Sequence, residues 1–410
     1  MDKHIIERNW RNQYNVLVPQ ADSMGAIAVI RSLGSHGYNV FSASSKAGAL
    51  GCRSNFTTMA VTCPPYDKNY LEWLRAFIKE HEIQAIIPSE AFYLVIKDCF
   101  DEFAHLLPIS SSKEVIYQCL CKVDVFDAFL SSGDKSLTDN ISNTQVVASE
   151  AEVDWAVTAS WNYPLFIKGD GFYAHSGGDA RIIKAETELD AKQAVIDIFK
   201  SYNKAIVQDC SEGVKATVNL LFQDGQLLAE SMAVATHENP HTGGLTSLRH
   251  SWWQQKMYED AVQRLKFLKW NGPAMVEYKW HEATNSFDFI ELNSRYWAAL
   301  NLDILAGVHF PCIHLDYFFE KLAPKTPIRL ENHIQVRNAL PADFGYMLSS
   351  LKDPIITKTK KMAIVAEFLL LFLHPNIKAD LLYPNDRKLY FINLWGFTKE
   401  FTSSCLKRLK

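Results

Sequence analysis

Short apolar runs alternate with helical periods from residue 15 onward, and this alternation restricts the fold more than any other feature of the chain. Residues 15–19 read as a buried strand, Asp22-Ser23-Met24-Gly25 as the turn after it, 26–33 as a helix and 38–43 as a second strand. A helix over 70–81, a strand at 85–88 and a helix over 91–103 continue the pattern. Strands separated by helices pair in parallel through crossovers, so residues 1–109 are expected to form a doubly wound, Rossmann-like α/β lobe. The glycine fingerprint of a dinucleotide site is missing, since only Gly25 lies in the first turn. That turn can still line a substrate pocket beyond the strand ends.

Residues 113–131 have helical spacing, and 131–144, rich in Ser, Asp, Asn and Gly, read as a loop. Strands at 165–168, 180–183, 205–209, 216–222 and 226–235 then surround a helix at 190–202, an α+β pattern, with Gln223-Asp224-Gly225 as a hairpin turn. A helix at 251–268 and strands at 274–280 and 287–292 follow. The expected units are a first lobe to 109, a small lobe with its linking helix over 110–232, a larger lobe over 233–323 and an extension over 324–410.

A chain of 410 residues has room for two or three lobes, and 48% hydrophobic with 21% charged residues is ordinary for a globular protein. A net charge of −4 gives no reason to expect a nucleic-acid partner. Eight cysteines without a CxxC pair read as reduced thiols, and residues 1–13 lack the apolar core of an export signal, so a cytoplasmic protein is expected. The most apolar run, 362–373, is shorter than the roughly 20 residues needed to span a bilayer and contains Glu367. It reads as a buried helix, with peripheral membrane contact as the alternative.

Two constellations carry chemistry. Lys168 ends a strand and precedes Gly169-Asp170-Gly171, with Gly177-Gly178 beyond; such a loop can fold backbone N–H groups over polyphosphate beside a fixed cation. A glycine hairpin with a solvated lysine is the plain alternative. Glu277 lies on one strand, while Glu291, Asn293 and Arg295 recur at period two at the end of the next. Hairpin pairing would bring Glu277 beside them. Oxygen ligands of this kind suit Mg²⁺, with Mn²⁺ as an alternative, and Arg295 can neutralise a transferring phosphoryl group. The plain alternative is an acidic strand with a salt bridge.

The run Glu291-Leu292-Asn293-Ser294-Arg295, extended by Tyr296-Trp297-Ala298-Ala299-Leu300 and by Ala306-Gly307-Val308-His309-Phe310-Pro311, resembles the ATP-grasp superfamily. Within it the chain is similar to carboxylate-amine ligases and to the carbamoyl-phosphate synthase large chain, over about residues 15–317. The resemblance implies an ATP-grasp fold behind the Rossmann-like lobe, with ATP and Mg²⁺ as cofactors. Lys122 and Lys168 would meet the phosphates, Gln208, Asp209, Cys210 and Gly213 the adenine side, and Glu277, Glu291 and Asn293 the metal. Arg295 and Lys168 would be catalytic, and Gly243, Gly244 and Arg249 would join Arg295 on the substrate side. Lys215 departs from the pattern, standing where the family has an acidic residue facing the ribose.

The implied activity joins a small-molecule carboxylate to an amine through an acyl phosphate, forming an amide or peptide bond. A phosphotransferase and a nucleotide-binding protein without turnover are the alternatives. Residues 324–410, ending in a basic tail, fit a lid, a homodimer contact or a membrane-surface element, and composition does not choose among them.

Overall fold

The computed structural model describes residues 10–175 and 179–408, with side chains to 403. Gly177 and Gly178 of the expected phosphate loop, and the end of the basic tail, lie outside the described residues.

The first lobe is the expected parallel sheet. Its strands are β1 (Asn15–Val18), β2 (Asn39–Ser44), β3 (Met59–Thr62) and β4 (Ala85–Ile86), in the order β3-β2-β1-β4. Helix Met24–Ser35 starts where Ser23 Oγ accepts the Ala26 N–H at 3.2 Å, and it buries Ile27, Val29, Ile30 and Leu33. The helix expected over 113–131 is two helices, Lys113–Leu120 and Lys122–Ser131. Cys121 between them is extended, and the freed Lys122 N–H donates to Asp170 Oδ2 at 2.9 Å.

Strands β5 (Thr144–Val147), β6 (Leu165–Gly169), β7 (Arg181–Ala185) and β8 (Ala205–Gln208) form a small antiparallel sheet ordered β5-β8-β6-β7. Helix Glu188–Phe199 packs Ala191, Val195 and Ile198 into its core.

The remaining strands are β9 (Val214–Gln223), β10 (Gln226–Asn239), β11 (Leu245–Ser251), β12 (Gly272–His281), β13 (Ser286–Asn293), β14 (Ile328–Arg329), β15 (Gln335–Arg337) and β16 (Ile377–Ala379). They form one eight-stranded sheet ordered β13-β12-β9-β10-β11-β15-β16, with β14 paired to β10. Asp224 and Gly225, both at positive φ, make the tight β9–β10 hairpin that their sequence announces. The boundary drawn at 232 falls inside β10, because this hairpin runs on as continuous ladder. Residues 324–410 supply β14, β15 and β16 and so belong to the central sheet.

Buried ion pairs tie the C-terminal stretch to the rest. The Arg31 guanidinium, fully buried in the first lobe, donates from Nε to Asp386 Oδ2 at 2.9 Å and from its other nitrogens to the carbonyls of Asp380 and Leu381. Asp386 also accepts from Ser54 Oγ at 2.8 Å and the Asn55 N–H at 2.9 Å. Asp386→Ala would strand a buried cation, with an expected loss of about 3–5 kcal/mol of unfolding free energy in denaturant titration.

Candidate active site

The site is built at one end of the β12–β13 ladder. Glu277 pairs directly with Glu291 and Met275 with Asn293, while Tyr278 pairs with Phe289, so Ile290 is an extra residue in β13. This bulge sets Glu291 opposite Glu277. Two carboxylates facing each other across a ladder repel, and three lysines offset the repulsion. Lys122 Nζ pairs with Glu291 Oε2. Lys215 Nζ lies 3.0 Å from Glu277 Oε1. Lys168, projecting from β6, donates to Gln208 Oε1 at 2.5 Å and feels both carboxylates.

The titrations follow from this arrangement. Burial raises the Glu277 carboxyl, and the Lys215 charge opposes it only partly. Burial also pushes Glu291 upward, but Lys122 and the Asn293 amide outweigh it and hold Glu291 below the ordinary carboxylate value. Burial and the neighbouring Lys122 charge push Lys168 down to about 8.

Asn293 Nδ2 donates to Glu291 Oε1 at 2.8 Å, and Arg295 Nη2 donates to Asn293 Oδ1 at 3.2 Å. The period-two face expected from sequence is therefore assembled as one chain of contacts. Arg295 Nε lies 3.4 Å from Glu90 Oε2 in the first lobe. Both line a 470 Å³ cavity with Gln20, Ser23 and Ser89, beyond the ends of β1 and β4. Gly25 borders it, and a Cβ there would meet the Trp297 carbonyl oxygen at 3.0 Å, so glycine lets the first-lobe turn close on the strand end.

A second cavity, 130 Å³, opens between the small sheet and the central sheet, lined by Lys122, Phe126, Lys168, Ile182, Ile206 and Ile290. Apolar walls with lysines suit a flat base carrying phosphates. Near the end of β8, Asp209 Oδ2 accepts from Asn143 Nδ2 at 2.7 Å. Its Oδ1 is buried without a hydrogen-bond partner among the described residues, an acceptor a base amine would satisfy. Gln208 is buried between Lys168 and Thr144. Cys210 follows Asp209, and Gly213 has φ +100°, with a Cβ there meeting the Trp280 carbonyl oxygen at 2.4 Å. Two carboxylates and an amide, with no cluster of three His, Cys, Asp or Glu side chains among the described residues, fit Mg²⁺ shared with phosphates better than a closed protein cage.

The residues expected on the substrate side are placed differently. Arg249 lies in β11, not in a loop, and is buried with Nη2 2.7 Å from Asp380 Oδ1 and Nη1 3.0 Å from Asp380 Oδ2. It locks the C-terminal stretch to the sheet. Gly243 and Gly244 do form the β10–β11 turn, and the Gly244 carbonyl accepts from Lys215 Nζ at 2.8 Å. Glu238 closes this network, accepting the Gly244 N–H at 3.1 Å and lying 3.6 Å from Lys279 Nζ. Sequence reasoning missed Glu90 and Glu238; an acid beside a helix start after β4 was the available signal for Glu90.

No family model matches the chain, and no curated protein matches it. Solved structures do. The chain is similar to L-amino acid ligase from Bacillus licheniformis, at 13% identity and TM-score 0.55, covering 74% of this chain and 73% of that one. Biotin carboxylase from Campylobacter jejuni, in a β-γ-ATP complex, is similar at 14% identity and TM-score 0.61, covering 78% and 74%. N5-carboxyaminoimidazole ribonucleotide synthetase, in its ADP complex, is similar at 12% identity and TM-score 0.57, covering 88% and 97%. The likeness is one of fold, and the fold is the ATP-grasp fold that the Glu291-to-Arg295 run resembles.

The depressed Lys168 value has a measurable consequence. Between about 8 and 10.5 the unfolded chain keeps a proton that the folded chain has lost, so this residue makes stability rise with pH across that window. Unfolding titrations at several pH values should show a flatter rise in Lys168→Met than in the parent chain.

Proposed function

We propose that the chain is an ATP-dependent carboxylate-amine ligase. The observation that carries this reading is the Glu277–Glu291 pair, neutralised by Lys122, Lys168 and Lys215 and continued through Asn293 and Arg295 to the 470 Å³ first-lobe cavity. One end of this path fits a metal-bound polyphosphate and the other a small molecule. The ligase fold supports the same reading.

Glu277, Glu291 and Asn293 would hold Mg²⁺, or Mn²⁺ in its place, which when bound supplies charge neutralisation between phosphate oxygens. Lys122 and Lys168 balance the negative charge of ATP, and Asp209 with the Cys210 backbone orients the base, with Gly213 holding the bend beside them. Arg295, reaching from Asn293 towards Glu90, stands where phosphate and carboxylate would meet. Its guanidinium stabilises charge that develops on the transferring phosphoryl oxygens.

In the reaction a carboxylate oxygen takes the γ-phosphoryl group, the bond to the β-phosphate oxygen breaks and ADP leaves. The amine nitrogen then attacks the acyl carbon, phosphate leaves with the former carboxylate oxygen, and the nitrogen's proton passes to solvent. Positioning in the first-lobe cavity brings acid and phosphate together, a large part of the rate advantage in such reactions.

Glu291→Ala should lower ATP turnover by about 10²-fold or more while leaving the circular dichroism spectrum at the assay temperature that of a folded chain. Unchanged turnover at saturating Mg²⁺ would remove Glu291 from the site. ADP release across paired panels of carboxylates and amines should require both partners; ADP formed with an acid alone, with a stable phosphorylated product, would make the chain a phosphotransferase.

Binding without turnover is the reading that Lys215 favours, because its ammonium already lies 3.0 Å from Glu277 Oε1 and would compete with a metal for that oxygen. On the ligase reading, Lys215→Met should tighten Mn²⁺ binding in the presence of a non-hydrolysable ATP analogue, measured by the paramagnetic signal of free Mn²⁺. ATP affinity without ADP release from any acid-amine pair would select the binding protein.

A further inference from the structure

The 130 Å³ cavity between the small sheet and the central sheet is lined by two carboxylates, Glu291 and Asp170. Glu291 belongs to the opposed pair on the ladder, whereas Asp170 has no part in the site described so far. A negative charge in this wall repels the phosphates that Lys122 and Lys168 attract, so its presence needs a different reason. Asp170 is buried, and both of its oxygens accept from the backbone. Oδ2 takes the Lys122 N–H at 2.9 Å and Oδ1 takes the Phe172 N–H at 3.0 Å, so each oxygen is engaged with the chain itself.

The position of those donors defines what Asp170 does. Lys122 is the first residue of helix Lys122–Ser131, and Cys121 before it supplies no side-chain cap. The first N–H of the helix is satisfied instead by Asp170, 48 positions away, and a negative charge at that end also suits the helix dipole. Tyr173 makes a second tie to the same helix, its hydroxyl donating to Asp124 Oδ1 at 2.5 Å. Lys168 stands on β6, two residues before Asp170. One carboxylate therefore joins the strand that carries one lysine to the helix that begins with the other. The Lys122 side chain is long and nearly half exposed, so the place its ammonium takes beside Glu291 depends on where the start of the helix is held.

We propose that Asp170 is a positioning residue for the phosphates of ATP, holding Lys122 at a fixed spacing from Lys168. This rests on the nucleotide part of the ligase reading. Titration calorimetry of the full chain with Mg²⁺ present gives its affinity for a non-hydrolysable ATP analogue and for adenosine, and the ratio of the two reports the phosphate contacts. Asp170→Ala should lower that ratio by about tenfold, the size of coupling met between residues in one network. Asp170→Asn removes the charge and keeps one acceptor oxygen, and it should lower the ratio as well. A carboxylate that acted only by repelling phosphate would give the opposite sign, a higher ratio in Asp170→Asn. In Lys122→Met, where Lys168 still attracts phosphate, adding Asp170→Asn should lower the ratio no further, because the lysine it positions is gone. The proposal is overturned if Asp170→Asn leaves the ratio unchanged or raises it, or lowers it equally in Lys122→Met. A lowered melting temperature with an unchanged ratio overturns it too, since Asp170 would then serve the fold alone. A parent chain that holds the analogue no more tightly than adenosine would overturn the nucleotide reading and this inference with it, whereas a discriminating parent with unaffected variants overturns only the role of Asp170.

Discussion

The opposition of Glu277 and Glu291 across the β12–β13 ladder is the constraint around which the molecule is arranged. Neither carboxylate is well hydrated, and both push against each other, so the pair is tolerable only if cations reach it from several directions. They come from three separate parts of the chain. Lys122 opens a helix after the first lobe, Lys168 ends a strand of the small sheet, and Lys215 begins the hairpin of the central sheet. The carboxylates thus draw three structural units to one point. A buried charge that several units must neutralise is costly in any other arrangement, which gives the units one preferred assembly.

The central sheet carries this point to the far end of the molecule. From β13 the ladder passes through β12, β9, β10 and β11 to β15 and β16, so that residues far apart in sequence share one hydrogen-bonded surface. Arg249 and Arg337 stand on adjacent strands of it and are each held by a buried carboxylate, Asp380 and Asp343. Asp343 also accepts from Ser247 Oγ at 2.9 Å and pairs with His237 at 2.8 Å. The same C-terminal stretch places Asp386 on Arg31 of the first lobe. The C-terminal residues therefore close a ring from the central sheet back to the parallel sheet, stabilising the orientation of the two walls of the first-lobe cavity.

What could be read beforehand follows the range of the physics involved. Period-two alternation is local, so Glu291, Asn293 and Arg295 fell on one face as expected, and the Asp224-Gly225 turn fixed the β9–β10 register. The break at Cys121 is invisible to apolar periodicity, because it is made by Asp170 accepting a backbone N–H from 48 positions away. Strand β3 was missed because it is a short, mostly exposed edge with little alternation. Strand β11 has no strand pattern of its own in its largely polar run, and is fixed by pairing with β10 on one side and β15 on the other, where Arg249 faces Ala235 and Val336. Arg249 illustrates the limit most clearly, since its carboxylate lies 131 positions away and no local rule points to it.

That reassignment of Arg249 alters where specificity can reside. An arginine whose two terminal nitrogens are held by a buried carboxylate cannot turn to an incoming acid without leaving Asp380 uncompensated, a cost of several kcal/mol. The Gly243-Gly244 turn is also held, through Lys215 and Glu238, so its backbone is less free than paired glycines suggest. The charged and polar side chains lining the first-lobe cavity include Gln20, Ser23, Ser89, Glu90, Asp179 and Arg295. A carboxylate drawn to Arg295 would enter beside Glu90, which disfavours a second anionic group there and favours a cationic or neutral one. On the ligase reading proposed above, the residues that would hold the metal lie on the β12–β13 ladder, and discrimination between substrates would fall to the first-lobe turn, where side chains can vary without disturbing the opposed carboxylates.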